Sequence, residues 1–170
     1  MKQKIIILEG HDRSGKSHIA EALSLRTNIP LYKAHRNKHW WDPIVNIHYF
    51  TEAVTQFLEQ TKTSVILDRW MGSDYMYSKL FDRDISFRKI FELDERFAKM
   101  NALLVICFKD ESCYIEDKED FEYVNTTMYS KMTALYREYC EQSKIKNILF
   151  LNTSDENIEN QLKAIISSLI

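Results

Sequence analysis

Between Gly10 and Ser17 the chain reads Gly-His-Asp-Arg-Ser-Gly-Lys-Ser, a Gly-x-x-x-x-Gly-Lys-Ser spacing suited to holding phosphate. Gly10 and Gly15 let the backbone turn tightly, so the N–H groups of His11, Asp12, Arg13, Ser14 and their neighbours point inward at phosphate oxygens. Lys16 is placed to reach the β- and γ-phosphates of a nucleotide, and the Ser17 hydroxyl to ligate Mg²⁺. The apolar run Ile5-Ile6-Ile7-Leu8 precedes the loop, and Ile19, Ala20 and Leu23 follow at helical spacing. The loop therefore joins a buried strand to a helix N-terminus, whose dipole adds to the attraction for anions. Two of the chain's three glycines stand where the motif requires them, which argues against a chance turn.

A second group, Asp68-Arg69-Trp70, closes another apolar run and leads into Met71-Gly72-Ser73-Asp74-Tyr75-Met76-Tyr77. A carboxylate at a strand tip beside the first strand can hold Mg²⁺ through water, and the adjacent arginine can grip a second, phosphorylated substrate. Asp82-Arg83 repeats the dipeptide but follows no strand, so it reads as solvated loop. The segment Tyr32–Trp41 mixes cations with Trp40 and Trp41. It reads either as an acceptor-binding arm, where Arg36 holds phosphate and Trp40 stacks a base, or as a basic loop with its tryptophans on the core. His35 and His39 have helical metal-ligand spacing but no third ligand.

The elements that must position these residues alternate short apolar runs with helical periodicity. Strands are expected at Lys4–Glu9, Pro30–Tyr32, Ser64–Asp68, Ala102–Phe108 and Ile148–Leu151. Helices are expected over Ser17–Leu25, over Thr51–Glu59 on a face of Ala53, Val54, Phe57 and Leu58, and over Phe87–Lys99. A long helix is spaced by Phe121, Val124, Met128, Met132, Leu135 and Tyr139, and a closing one by Ile158, Leu162, Ile165 and Leu169. Runs apolar on both faces, alternating with helices, imply a parallel sheet between helix layers, with the ligand at the C-terminal strand ends.

A length of 170 residues suits one domain, 1–170, able to bury its own core. The net charge of −2 argues against a surface built to neutralise many nucleic-acid phosphates. Cys107, Cys113 and Cys140 form neither a zinc motif nor an even disulfide set, and Cys107 reads as a core thiol. No apolar run approaches membrane-spanning length and no signal-peptide pattern opens the chain, so a cytoplasmic, reducing setting is expected.

With those residues in hand, the chain resembles the thymidylate kinase family of P-loop nucleoside and nucleotide kinases. Its loop signature, Glu-Gly-x-Asp-Arg-x-Gly-Lys-Ser, fits Glu9 to Ser17 without a gap. Its Asp-Arg-Tyr-x-x-Ser-x-x-x-Tyr signature fits Asp68 to Tyr77 with Trp70 in place of Tyr. The resemblance implies a P-loop NTPase three-layer α/β/α fold, a five-stranded parallel sheet in order 2-3-1-4-5, and a short lid over 109–122. It implies ATP as donor with Mg²⁺ at Ser17 and Asp68, and Lys16, Arg13, Asp12 and Asp68 as the catalytic set. Arg13 would contact the γ-phosphate, since the lid is acidic and lacks arginine. Asp12 would orient the sugar 3′-hydroxyl, Arg69 the acceptor phosphate, and Tyr77 would lie against the sugar, with Ser73, Arg36 and Trp40 completing the substrate site. Asn152-Thr153-Ser154 falls where the family places its adenine loop. The chain departs from the family in lacking the Arg-containing motif on the helix before the third strand, where His48 or Tyr49 falls, and in having Met100-Asn101 for Pro-Asp.

The activity expected is phosphoryl transfer from Mg·ATP to a deoxynucleoside monophosphate, a pyrimidine such as dTMP. The alternatives are a kinase acting on a deoxynucleoside or on a nucleotide within DNA or RNA, and a non-catalytic nucleotide-binding module. Partners are thus a small-molecule nucleotide first and nucleic acid second, with no membrane, and a homodimer is one option.

Overall fold

A computed structural model describes residues 2–33, 45–113, 126–154 and 157–169. Arg36, Trp40, both candidate metal-spaced histidines and lid residues 114–122 lie outside them, as do Phe121 and Val124 of the expected long helix. The described elements are β1 (Ile5–Glu9), α1 (Lys16–Thr27), β2 (Leu31–Lys33), α2 (Val45–Thr61), β3 (Val65–Asp68), α3 (Met71–Leu80), α4 (Phe87–Lys99), β4 (Leu103–Phe108), α5 (Thr126–Gln142), β5 (Asn147–Asn152) and α6 (Ile158–Ser167). All strand pairs are parallel, in the order β2-β3-β1-β4-β5.

β1 is central because every side chain in it is buried, a consequence of an unbroken apolar run that can be satisfied only with cover on both faces. The period of two divides the strand residues between two cores. Ile5, Ile7, Leu67, Leu104 and Ile106 pack beneath α2, α3, α4 and α5, together with Leu58, Tyr75, Phe97 and Tyr139. Ile6, Leu8, Ile66, Leu103 and Val105 face α1 and α6 through Ile19, Leu23, Leu162 and Ile165. Each fully buried aliphatic side chain contributes about 1.5–3 kcal/mol, so this alternation alone locks the register of the three inner strands.

The register sets the site. Leu8 lies opposite Asp68, so the end of β1 and the end of β3 finish side by side at the same edge of the sheet.

Two expectations need correction. The residues after Asp68 form a ten-residue helix, α3, that periodicity does not reveal. Seven of its residues are buried, so it is enclosed nearly all round and carries no polar stripe to mark a helical period. On α2 the buried stripe is Thr51, Thr55 and Leu58, whereas Phe57 is 54% exposed. Thr55 is tolerated inside because its hydroxyl donates to the Thr51 carbonyl at 2.6 Å. Cys107 is buried as expected, and all three cysteines are free. Among the described residues no helix is long and apolar enough to cross a membrane.

Candidate active site

The loop between β1 and α1 is shaped by two positions at positive φ that suit glycine. Gly10 has φ 142°, and a Cβ there would sit 2.0 Å from the Cys107 carbonyl oxygen on β4. No side chain fits, so the loop can leave the sheet only through glycine. Gly15, at φ 79°, caps α1 and supplies no side chain to the first-turn N–H groups. Those donors are left for an anion, in line with the dipole. Arg13 stands exposed at the crest of the loop with φ 59°, a left-handed conformation that costs a non-glycine residue energy.

Lys16 folds back over the loop. Its ammonium donates to the His11 carbonyl at 2.6 Å and to Ser14 Oγ at 3.2 Å. Burial pushes its pKa down to about 7, and the nearby Arg69 charge adds to the push. A phosphate arriving at the loop would supply the negative charge that this ammonium lacks. The Ser17 hydroxyl donates to Asp68 Oδ2 at 2.6 Å. Asp68 is buried, and its Oδ1 has no hydrogen-bond partner among the described residues.

From beneath, His11 packs edge-on against Tyr129 of α5, with ring centroids 4.7 Å apart, and Nδ1 lies 3.0 Å from the Asp12 carbonyl oxygen. Burial lowers its pKa to about 4, so the ring is neutral near pH 7. Thr153, after β5, donates to the Ser14 carbonyl at 2.8 Å and so ties that strand end to the loop. Its neighbour Asn152 donates to Asp110 at 3.1 Å. Asn152-Thr153-Ser154 thus lies against the phosphate loop.

The other wall is the turn from β3 into α3. Arg69, at φ 68°, pairs with Asp12 of the loop, and Tyr77 of α3 donates its hydroxyl to the same carboxylate. Arg69 Nη1 also donates to the Gly10 carbonyl at 3.3 Å and to the oxygens of Ser73 and Tyr77 at 3.4 Å each. Lys16 and Arg69 therefore hold carbonyls of one short loop, at His11 and at Gly10. Ser73 is 2% exposed and donates to Glu9 Oε2 at 2.5 Å.

One residue of this wall escaped sequence reasoning. Asp82, at φ 50°, turns the chain back after α3, and the Arg83 N–H donates to the Ser78 carbonyl at 2.9 Å. The Arg83 guanidinium carbon then lies 5.7 Å from the Tyr77 ring centroid and 5.6 Å from that of Phe81. Arg69 approaches the same Tyr77 ring at 5.5 Å. Arg83 is thus packed on an aromatic pair beside the site rather than solvated.

No protein-family model matches the chain. No curated protein matches it in sequence. Solved structures do match in shape. The YorR protein of Bacillus subtilis, in complex with phosphorylated GDP, aligns at 23% identity over 96% of this chain and 94% of its own, with a TM-score of 0.69. The thymidylate kinase of Candida albicans aligns at 18% identity over 98% and 90% of the two chains, TM-score 0.63. The deoxyadenosine kinase of M. mycoides, with products dCMP and dCDP, aligns at 15% identity over 97% and 98%, TM-score 0.58. The chain has the thymidylate kinase-like nucleotide kinase fold.

Proposed function

We propose that the chain is a single-domain kinase that transfers the γ-phosphoryl group of ATP to a deoxynucleoside monophosphate, with a pyrimidine such as dTMP as the leading acceptor. One observation carries the reading: the donor-side Lys16 and the acceptor-side Arg69 are held by the same stretch of loop, Gly10 to Asp12. A switch or regulatory module needs the first and has no use for the second.

Phosphoryl transfer asks for positioning and charge stabilisation rather than a covalent group on the enzyme. The loop N–H groups and the N-terminus of α1 hold the donor phosphates, and Lys16 moves from the His11 carbonyl to their oxygens. The acceptor's phosphate oxygen attacks the γ-phosphorus in line, and ADP leaves with the electron pair of the broken bond. Arg13 bears on the γ-phosphoryl from the loop crest. Arg69 holds the acceptor phosphate, and Asp12 passes from Arg69 and Tyr77 to the sugar hydroxyl.

Ser17 and Asp68 suit Mg²⁺. A hydroxyl and a buried carboxylate form a hard oxygen set, and Asp68 Oδ1 has no hydrogen bond among the described residues. When bound, the ion would neutralise charge on the β- and γ-phosphates.

A second reading, a deoxynucleoside acceptor, is favoured by the Arg69–Asp12 pair, which already satisfies the arginine without any acceptor phosphate. ADP release with Mg·ATP decides between them, measured against the four dNMPs, their nucleosides, and single- and double-stranded DNA. Turnover with dNMPs alone supports the first reading. Equal turnover with nucleosides supports the second, and ATP binding without turnover on any acceptor refutes both.

A further inference from the structure

Glu9 ends β1, is wholly buried, and has no part in the transfer described above. Its carboxylate crosses to the turn that carries Arg69. Oε1 accepts the backbone N–H of Trp70 at 2.9 Å and of Gly72 at 2.8 Å, while Oε2 accepts the Ser73 hydroxyl at 2.5 Å. Gly72 leaves room for this approach: a Cβ there would lie 3.1 Å from Glu9 Cδ and 3.1 Å from Tyr139, a tight contact on both sides. Burial raises the Glu9 pKa, and the bonds from Ser73 and Trp70, with the nearby Arg69 charge, pull against that rise. A buried anion is tolerable only where donors and a helix N-terminus meet it, and α3 starts here.

The arrangement continues outward. With its proton given to Glu9, Ser73 Oγ offers a lone pair to Arg69 Nη1 at 3.4 Å, and Tyr136 OH lies 3.2 Å from the same oxygen. Arg69 itself keeps a left-handed backbone, which persists only where the surroundings over-determine it. Its N–H is bound to the Leu8 carbonyl at 2.9 Å, so the backbone on each side of Arg69 is pinned to β1.

We infer that Glu9 and Ser73 act as a positioning unit that aims Arg69 at the anionic group of the acceptor, with Ser73 serving Arg69 rather than touching substrate. This rests on the kinase reading and narrows it: the acceptor is one whose affinity depends on the aim of a single guanidinium. Glu9→Gln separates this role from simple capping of α3. The introduced amide oxygen still accepts both backbone N–H groups, so the cap survives. Its nitrogen must donate to Ser73 Oγ where the carboxylate accepted, which takes a lone pair for which Arg69 Nη1 and Tyr136 OH then compete.

The experiment is steady-state kinetics of the full chain on dTMP, or the best acceptor of the panel, together with direct titration of that acceptor without ATP. Glu9→Gln should raise acceptor KM and Kd roughly tenfold, with kcat within about threefold and the KM for ATP unchanged, as loss of a charge-assisted hydrogen bond predicts. Ser73→Ala should raise both about threefold, because Glu9 keeps its backbone bonds, and it decides the matter should Glu9→Gln not fold. A lowered melting temperature with acceptor KM and Kd unmoved in either folded variant would overturn the unit and leave Glu9 as a cap. The parent reading fails separately, on wild-type protein that neither binds nor phosphorylates any acceptor.

Discussion

The phosphate loop between β1 and α1 is shaped mostly by backbone, and the turn from β3 into α3 mostly by side chains. In the loop Gly10–Ser17 the decisive features are two glycine conformations and an uncapped helix start, all within eight consecutive residues. Between the loop and the turn after β3, Asp12 and Glu9 on one side and Arg69, Ser73 and Tyr77 on the other form one hydrogen-bonded set whose cross-links join residues 57 to 65 positions apart along the chain. A wall of backbone tolerates change in the side chains around it but not at its glycines. A wall of side chains can be retuned one residue at a time, which is where differences in acceptor belong.

The contrast breaks most sharply at Lys16. Lys16→Ala should abolish phosphoryl transfer while leaving the fold intact, as near-identical circular dichroism would show, because the hydrogen bonds of its ammonium among the described residues stay within the loop. Measurable turnover would mean that the loop does not serve as the donor site. Arg13 comes next. It projects from the loop crest, and the described lid residues 109–113 hold no arginine to share its task. Arg13→Ala should lower kcat by roughly 10²–10³, the usual cost of losing a charge-stabilising donor. An unchanged kcat would place that charge elsewhere.

His11 gives the contrast a pH axis. Its pKa falls from 6.5 to about 4 because burial disfavours the charged ring. The unfolded chain therefore binds a proton that the folded chain refuses between those two values, and stability falls as pH drops through the window. Above 6.5 the ring is neutral in both states and contributes no slope. The full loss is about 3 kcal/mol, reached near pH 4. As pH falls through this range the urea midpoint of wild type should drop relative to that of His11→Phe, and parallel curves would show that the loop's underside is not sealed by Tyr129.

Much of this was legible in the residues, for reasons that differ by region. Strands apolar on both faces, such as Ile5–Glu9, announce a covered parallel sheet, and the phosphate loop is read from eight neighbours. Asp68-Arg69 was found because it follows a strand. The helix that comes next was missed because burial all round removes amphipathic period, and Phe57 misled because a large apolar residue need not face inward. Glu9 stood in the quoted motif, yet its partners lie 61 to 64 residues on, so its task is visible only in three dimensions. Arg83 reads as solvent-facing in sequence for the same reason: the left-handed turn at Asp82 that folds it onto Tyr77 leaves no local mark.

Arg69 and Arg83 sharpen the contrast last, since both lie against Tyr77 and differ in what else they hold. Arg69→Ala removes the partner of Asp12 and, on the proposed function, the guanidinium that holds the acceptor, so acceptor KM should rise about 10- to 100-fold with ATP KM unmoved. Arg83→Ala removes a cation resting on an aromatic pair, a contact worth about 0.5–1 kcal/mol at a partly exposed site. Its expected effect on acceptor KM is therefore about threefold, with a small fall in melting temperature. Kinetics on a monophosphate and on its nucleoside separate the two possibilities for Arg83. If the variant weakens only the monophosphate, Arg83 supplies charge to the acceptor site, in the role of the arginine missing before β3. If both acceptors weaken equally, it acts by holding the Tyr77 ring in place, and the acceptor phosphate depends on Arg69 alone.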